Sequence, residues 1–158
     1  MNRTKLRAVM GAVFFIYSLL MCYFLFFAYY YGRSFNLFHA GYFECLKEYV
    51  HENINIIPFA TVNLYIRGYL SGAVSPYPLV VNLIGNFAAF MPLGFFLPYF
   101  SAKLRKPLNF VIFTVLLIVA VELLQLVMMT GVCDVDDLIL NVSGATFVFF
   151  IFRKIWIK

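Results

Sequence analysis

Four runs of about 20 mainly apolar residues, each bounded by charge or by turn-forming residues, constrain this chain more than any other feature. They fall at about residues 8–31, 78–100, 108–129 and 135–152. A helix rises 1.5 Å per residue, so a run of that length crosses a hydrocarbon core about 30 Å thick. Lipid offers no hydrogen bonds, so a spanning segment satisfies its backbone internally and folds as a helix. Only 12% of the residues are charged and 64% are apolar, against roughly 25% charged in a typical soluble domain. The sequence therefore predicts an all-α polytopic membrane protein with four transmembrane helices.

The first run follows Arg3, Lys5 and Arg7 and so begins like a secretory signal. Its apolar part is longer than the usual 7–15 residues of a signal core, and no small-x-small cleavage site closes it. It reads as a retained span. The second run contains Pro92, Gly94 and Pro98, which predicts a kink or local unwinding around Met91-Pro92-Leu93-Gly94.

Counting bases sets the orientation. With the N-terminus inside, the inner side collects Arg3, Lys5, Arg7, Lys103, Arg105, Lys106, Arg153, Lys154 and Lys158, and the outer side only Arg33, Lys47 and Arg67. Cationic loops stay in the cytoplasm, so both termini are expected there. Because the bases sit beside apolar spans, the net charge of +5 is a topology signal and not a nucleic-acid surface. Residues 32–77 then form an outer segment. Within it, residues 39–52 mix aromatics and charges at helical spacing, which predicts a short interfacial helix burying Tyr42, Phe43, Leu46, Tyr49 and Val50. His39 and His51 read as surface residues. The chain divides into an N-terminal helix with the start of the outer segment (1–53), a domain holding the remaining spans (54–152) and a basic tail (153–158). Cys22, Cys45 and Cys133 lack metal-ligand spacing and read as free thiols, although Cys45 and Cys133 fall on the same side.

Polar residues inside apolar spans are costly and tend to face a bundle interior or a water-filled cavity. Asn82 and Asn86 share one face of the second span, and Glu122 and Gln125 share one face of the third. Glu122 lies seven residues from the outer end, about 10 Å deep. Asp134, Asp137 and Asn141 form a stripe on the fourth span, with Asp136 pointing away from it, and Gly144 permits close approach of another helix. Three spans thus bring polar stripes to one depth. Interhelical hydrogen bonding accounts equally well for Asn82, Asn86, Gln125 and Ser143, and helix capping is an alternative for Asp134 or Asp137. A lone carboxyl such as Glu122 needs a partner or a proton at that depth.

At these residues the chain resembles the VanZ-like family, named for a teicoplanin-resistance protein. The resemblance rests on Asn55-Ile56-Ile57-Pro58-Phe59, Asn82-x-x-x-Asn86 followed by Met91-Pro92-Leu93-Gly94, Glu122-x-x-Gln125, and Asp134-x-Asp136-Asp137-x-x-x-Asn141-x-x-Gly144. It covers about residues 54–152. Many relatives carry an arginine shortly before the aspartate run and another before the Asn-x-x-Pro-Phe element. This chain has Thr130-Gly131-Val132 and Val50-His51-Glu52 there. The resemblance implies a multi-pass protein of a bacterial cell membrane, linked to lipoglycopeptide susceptibility.

Two functions fit the residues. One is an intramembrane enzyme acting on a lipid head group or lipid-linked cell-wall precursor at the outer leaflet. Glu122 would serve as general acid or base, Asp134 and Asp137 would orient a nucleophile or position a divalent cation, and Asn55, Asn82, Asn86, Gln125 and Asn141 would bind substrate oxygens. The other is a non-catalytic protein that holds such a lipid or precursor and shields it from a membrane-anchored glycopeptide. A transporter fits less well, because the chain has no inverted repeat.

Overall fold

The computed structural model describes residues 2–27 and 41–156, so the predicted end of the first span at residues 28–31, together with Arg33 and His39, lies outside the described residues. Among the described residues, four helical stretches are long and apolar enough to cross a membrane: Arg3–Phe27, Leu79–Phe100, Pro107–Val127 and Val135–Ile155. They match the four predicted runs and make this a multi-pass membrane protein.

The first stretch is helix α1 (Arg3–Cys22), capped by Asn2 and continued by a wider π-type turn over Tyr23–Phe27. The segment before the second stretch holds α2 (Tyr42–Glu52), the two-residue strand β1 (Ile54–Asn55) and α3 (Ala60–Leu70). The sequence predicts one helix there. The second, α3, follows Pro58 and carries Leu64, Ile66 and Leu70 on exposed positions, so it lacks the one-sided apolar pattern that marks a helix in sequence. Tyr42, Leu46, Tyr49 and Val50 of α2 are half-buried, whereas Phe43 is exposed.

The second span is broken where its prolines and glycine predict. Helix α4 (Pro76–Ala89) starts with proline at its first turn, and α5 (Leu93–Phe100) begins after Pro92. Proline has no N–H to continue the helical ladder, so carbonyls just before it lose partners. The Tyr17 hydroxyl of α1 donates to the Ala89 carbonyl at 2.8 Å and replaces one of them. A short 3-10 turn (Ala102–Arg105) leads into α6 (Pro107–Val127). Strand β2 (Cys133–Asp134) then precedes α7 (Val135–Trp156).

Helix α7 packs against α4, α5 and α6. Phe110, Ile118, Ala145 and Phe149 are fully buried, and the Phe110 and Phe149 rings stack with centroids 4.4 Å apart. Lipid supplies no hydrophobic drive between helices, so their association depends on close fit. Two glycines provide it. A Cβ on Gly144 would lie 1.8 Å from the Phe87 carbonyl oxygen of α4, and one on Gly94 would lie 2.2 Å from the Ala145 carbonyl oxygen of α7. Both obstacles are backbone and cannot swing aside. Helix α1 sits at the periphery with no buried residue in its length. It is held by Phe14 against Phe96 and Phe100, with ring centroids 5.0 and 5.7 Å away.

The parallel β1–β2 pair aligns Ile54 with Cys133 and Asn55 with Asp134. It ties the segment between the first two spans to the turn between α6 and α7.

Gly144→Ala and Gly94→Ala are each expected to destabilise the bundle by about 1–3 kcal/mol through overpacking, read as a lower midpoint of thermal unfolding in detergent. Gly85→Ala is the control, because nothing lies within 4 Å of its added Cβ. Its midpoint is expected to hold or rise slightly, since alanine favours helix.

Candidate functional site

Three carboxylates at the start of α7 face three different elements. Asp134 is 5% exposed and acts inside its own chain turn: its Oδ1 accepts the Asp136 backbone N–H at 2.8 Å, capping α7. The same oxygen accepts from the Asn55 side-chain amide at 3.2 Å, and Oδ2 accepts from the Thr61 hydroxyl. The β1–β2 register makes this meeting possible by setting Asn55 directly beside Asp134.

Asp136 is 2% exposed. Its Oδ1 accepts the Phe59 backbone N–H and its Oδ2 the Val62 N–H at 3.1 Å. It therefore supplies an anion to the first turn of α3, where unpaired backbone donors and the helix dipole favour one. Phe59 has φ 64°, a left-handed backbone that costs an L-residue about 1–2 kcal/mol. The two bonds to Asp136 hold it there. Upstream, the Asn55 side-chain oxygen accepts the Ile57 N–H at 3.1 Å, and its amide donates to Thr61 at 3.0 Å, closing the turn from both ends.

Asp137 turns to α4. Its Oδ1 accepts from the side-chain amide of Asn86 and, at 3.5 Å, from that of Asn82. Asn82 and Asn86 thus share one face and grip one oxygen, leaving Oδ2 outside that grip. Beside this contact lies a cavity of about 510 Å³ walled by Tyr49, Thr61, Tyr65, Asn82, Asp134 and Asp137 among others. None of its described lining residues is Lys, Arg or His, and Arg67 is not among them. The Asn82 side-chain oxygen is buried without a partner among the described residues.

Glu122 occupies a different space. It is 6% exposed and lines a smaller apolar cavity of about 190 Å³ with Asn55, Val119, Cys133, Asp134 and Leu138. One of its oxygens, Oε2, has no partner among the described residues, and Asp137 and Asp134 are its charged neighbours. Asp134 lines both cavities and stands between them. Burial pushes the Cys133 thiol above its ordinary range, and the Glu122 and Asp134 charges push the same way, so it is a poor nucleophile near neutral pH. All three cysteines are free.

The remaining candidates scatter. Gln125 turns away from the aspartates and donates to the Leu25 carbonyl at 3.0 Å, tying α6 to the turn after α1. Asn141 is 4% exposed, and its Oδ1 has no partner among the described residues. Among the described residues, no group of three His, Cys, Asp or Glu could hold a metal ion. Both Asp134 oxygens accept hydrogen bonds, whereas Asp137 engages the two asparagines through Oδ1.

Thr61, Tyr49, Asn53 and Tyr65 were not legible as site residues. Thr61 and Tyr65 belong to the unexpected α3. Tyr49 enters because its hydroxyl donates to the Gly131 carbonyl at 3.1 Å, a contact between residues 82 positions apart. Asp136 had a signal, since an aspartate pointing off a helix stripe needs a partner in another element.

Asp136→Ala would leave the Phe59 and Val62 amides without this acceptor. We expect a loss of about 1–3 kcal/mol of stability and faster proteolysis within α3. Asp136→Asn keeps one acceptor and is expected to lose less by both measures.

No match emerges among curated protein sequences or solved structures. The family model described as VanZ/LLP1 matches residues 14–157, which takes in the first span as well as the motifs from residue 54 onward. With nearly its whole length matched, the chain belongs to the VanZ/LLP1 family.

Proposed function

We propose that this is a cell-envelope protein that binds the polar head of a membrane lipid or lipid-linked cell-wall precursor in the Asp137 cavity, at the outer leaflet. Occupying that head group lowers susceptibility to a membrane-anchored glycopeptide such as teicoplanin. Family membership supports the link to glycopeptide resistance. The nine-to-three distribution of bases supports cytoplasmic termini and an outer-leaflet cavity.

The observation that carries the binding mode is the acceptor-rich wall, which has no cation among its described lining residues. Asp137 is pre-oriented by Asn82 and Asn86, and the Asn82 oxygen beside it lacks a donor among the described residues. Such a wall selects ligands that bring donors: sugar hydroxyls, peptide amides or an ammonium. It repels a bare phosphate. Holding the carboxylate in advance spares the cost of ordering it on binding.

A catalytic reading has one observation in its favour, the buried Glu122 carboxyl with an oxygen unpartnered among the described residues. General acid–base chemistry requires that oxygen to come within hydrogen-bond reach of the substrate. Its separate cavity, behind Asp134, favours binding over catalysis.

One experiment separates these readings. Wild type, Asp137→Asn and Glu122→Gln are expressed at matched membrane levels in a susceptible Gram-positive host, and growth inhibition by teicoplanin and vancomycin is measured. Wild type is expected to protect against teicoplanin and not vancomycin. Asp137→Asn is expected to weaken head-group binding on the order of tenfold, the worth of a hydrogen bond to a charged group, and so lose most protection. Glu122→Gln is expected to keep it. Protection lost in Glu122→Gln and kept in Asp137→Asn would replace binding by catalysis at Glu122.

A further inference from the structure

The turn that joins β1 to α3 is apolar and exposed at once. Ile56, Ile57 and Phe59 are 78%, 66% and 58% exposed, and Pro58 between them is exposed as well. Clustered apolar surface of this kind marks a contact with something other than water. Charge changes sharply at the same place. Helix α2 carries Glu44, Lys47, Glu48 and Glu52, whereas Arg67 is the single Asp, Glu, Lys or Arg between Glu52 and Lys103.

Two contacts fix the level of the turn. The Phe59 N–H donates to Asp136, the second residue of the span Val135–Ile155. Ile56 lines the small cavity of about 190 Å³ together with Val119 and Leu138. At 1.5 Å per residue, Val119 lies about 12 Å along α6 from its end at Val127, and Leu138 about 5 Å into α7. Ile56 therefore sits beside residues of two membrane spans while most of its own surface stays uncovered.

Lipid offers no hydrogen bonds, so irregular backbone enters it only with its donors matched inside the protein. The turn meets that condition. The Ile57 N–H donates to Asn55 Oδ1 at 3.1 Å, Pro58 has no N–H, and the Phe59 N–H donates to Asp136. The Ala60 N–H then turns back to the Ile57 carbonyl at 3.2 Å.

We infer that residues 56–59 form a wedge inserted into the acyl-chain region of the leaflet at the aspartate end, with bilayer hydrocarbon as the partner of Ile56, Ile57 and Phe59. Helix α2, with its charges, stays above at the head groups, and α3 runs along the boundary with Leu64 and Leu70 exposed towards lipid. The Asp136 hydrogen bonds hold the wedge at this depth. Because Ile56 also walls the Glu122 cavity, that cavity borders lipid. The wedge is independent of what the Asp137 cavity binds.

The test places tryptophan reporters in the full chain. Trp156 is the one native tryptophan, so Trp156→Phe gives a dark background. Ile57→Trp and Ile56→Trp are the reporters. Leu116→Trp, at a position 64% exposed midway along α6, and Glu48→Trp on α2 are the references. Each is measured in phosphatidylcholine nanodiscs with plain or brominated acyl chains, and with acrylamide added to the water. Both reporters are expected to emit to the blue of Glu48→Trp. They are expected to lose most of their emission to brominated chains, as Leu116→Trp does, and little to acrylamide. Glu48→Trp is expected to show the reverse. Quenching of Ile57→Trp by acrylamide and not by brominated chains would put the turn in water and overturn the wedge. Resistance to both quenchers would also overturn it, in favour of a protein cover such as a second copy of the chain. Ile57 is not among the residues lining the Glu122 cavity, so Ile57→Trp carries the test if Ile56→Trp lowers the thermal midpoint.

Discussion

A carboxylate taken out of water costs several kcal/mol unless donors replace its hydration, and three of them cluster within residues 134–137, where the chain enters α7. Each is matched to a donor set from elsewhere in the chain. Asp134 takes the amide of its own helix start, an asparagine and a threonine. Asp136 takes two backbone amides of α3, and Asp137 takes two asparagines of α4. Removing either side of any pair leaves a buried charge or an orphaned donor, which costs more than a typical hydrogen bond contributes. The arrangement at this end of the molecule follows from that requirement. The segment between the first two spans cannot drift without stranding Asp136, and α4 cannot rotate without stranding Asp137.

This division of labour separates structure from function inside one tetrapeptide. Asp134 and Asp136 are saturated by the fold and have little left to offer a ligand. Asp137 has one oxygen gripped and a cavity beside it, so it alone among the three combines order with access. The glycine contacts serve the same end from within the membrane. Gly144 brings α4 against α7 at Phe87, the residue after Asn86, so the backbone approach at Gly144 sets how near Asn86 lies to Asp137. A methyl group at Gly144 would disturb packing and site together.

The spans were legible because lipid removes alternatives: about 20 apolar residues in a row can be little but a helix. The break at Pro92 was legible for the same reason, since proline lacks a donor in any environment. The polar stripe read correctly as far as Asn82, Asn86 and Asp137, which meet across two helices as helical periodicity demands. Gln125 shows where periodicity stops. It shares a helix face with Glu122, yet its amide reaches the turn after α1, because a face on α6 borders more than one neighbour. Thr61 and the helix that carries it were hidden for a different reason. The β1–β2 register places residue 55 beside residue 134, and nothing local in either stretch announces a pairing so distant.

Among the described residues, charge is segregated along the bundle axis, with every acid towards one end and eight of the ten bases towards the other. Topology explains the bases, but it does not explain an acid-rich cavity with no base among its described lining residues, since acidic residues contribute little to orientation. The two positions where many relatives carry arginine hold Thr130-Gly131-Val132 and Val50-His51-Glu52 in this chain, and both stretches flank the cavity through Tyr49, Thr130 and Gly131. A wall with arginine could neutralise a phosphate, whereas the charged groups among the described lining residues of this one are Asp134 and Asp137. Within one fold, then, the residues at these two turns help to set the charge of the wall that Asp137 and Asn82 complete.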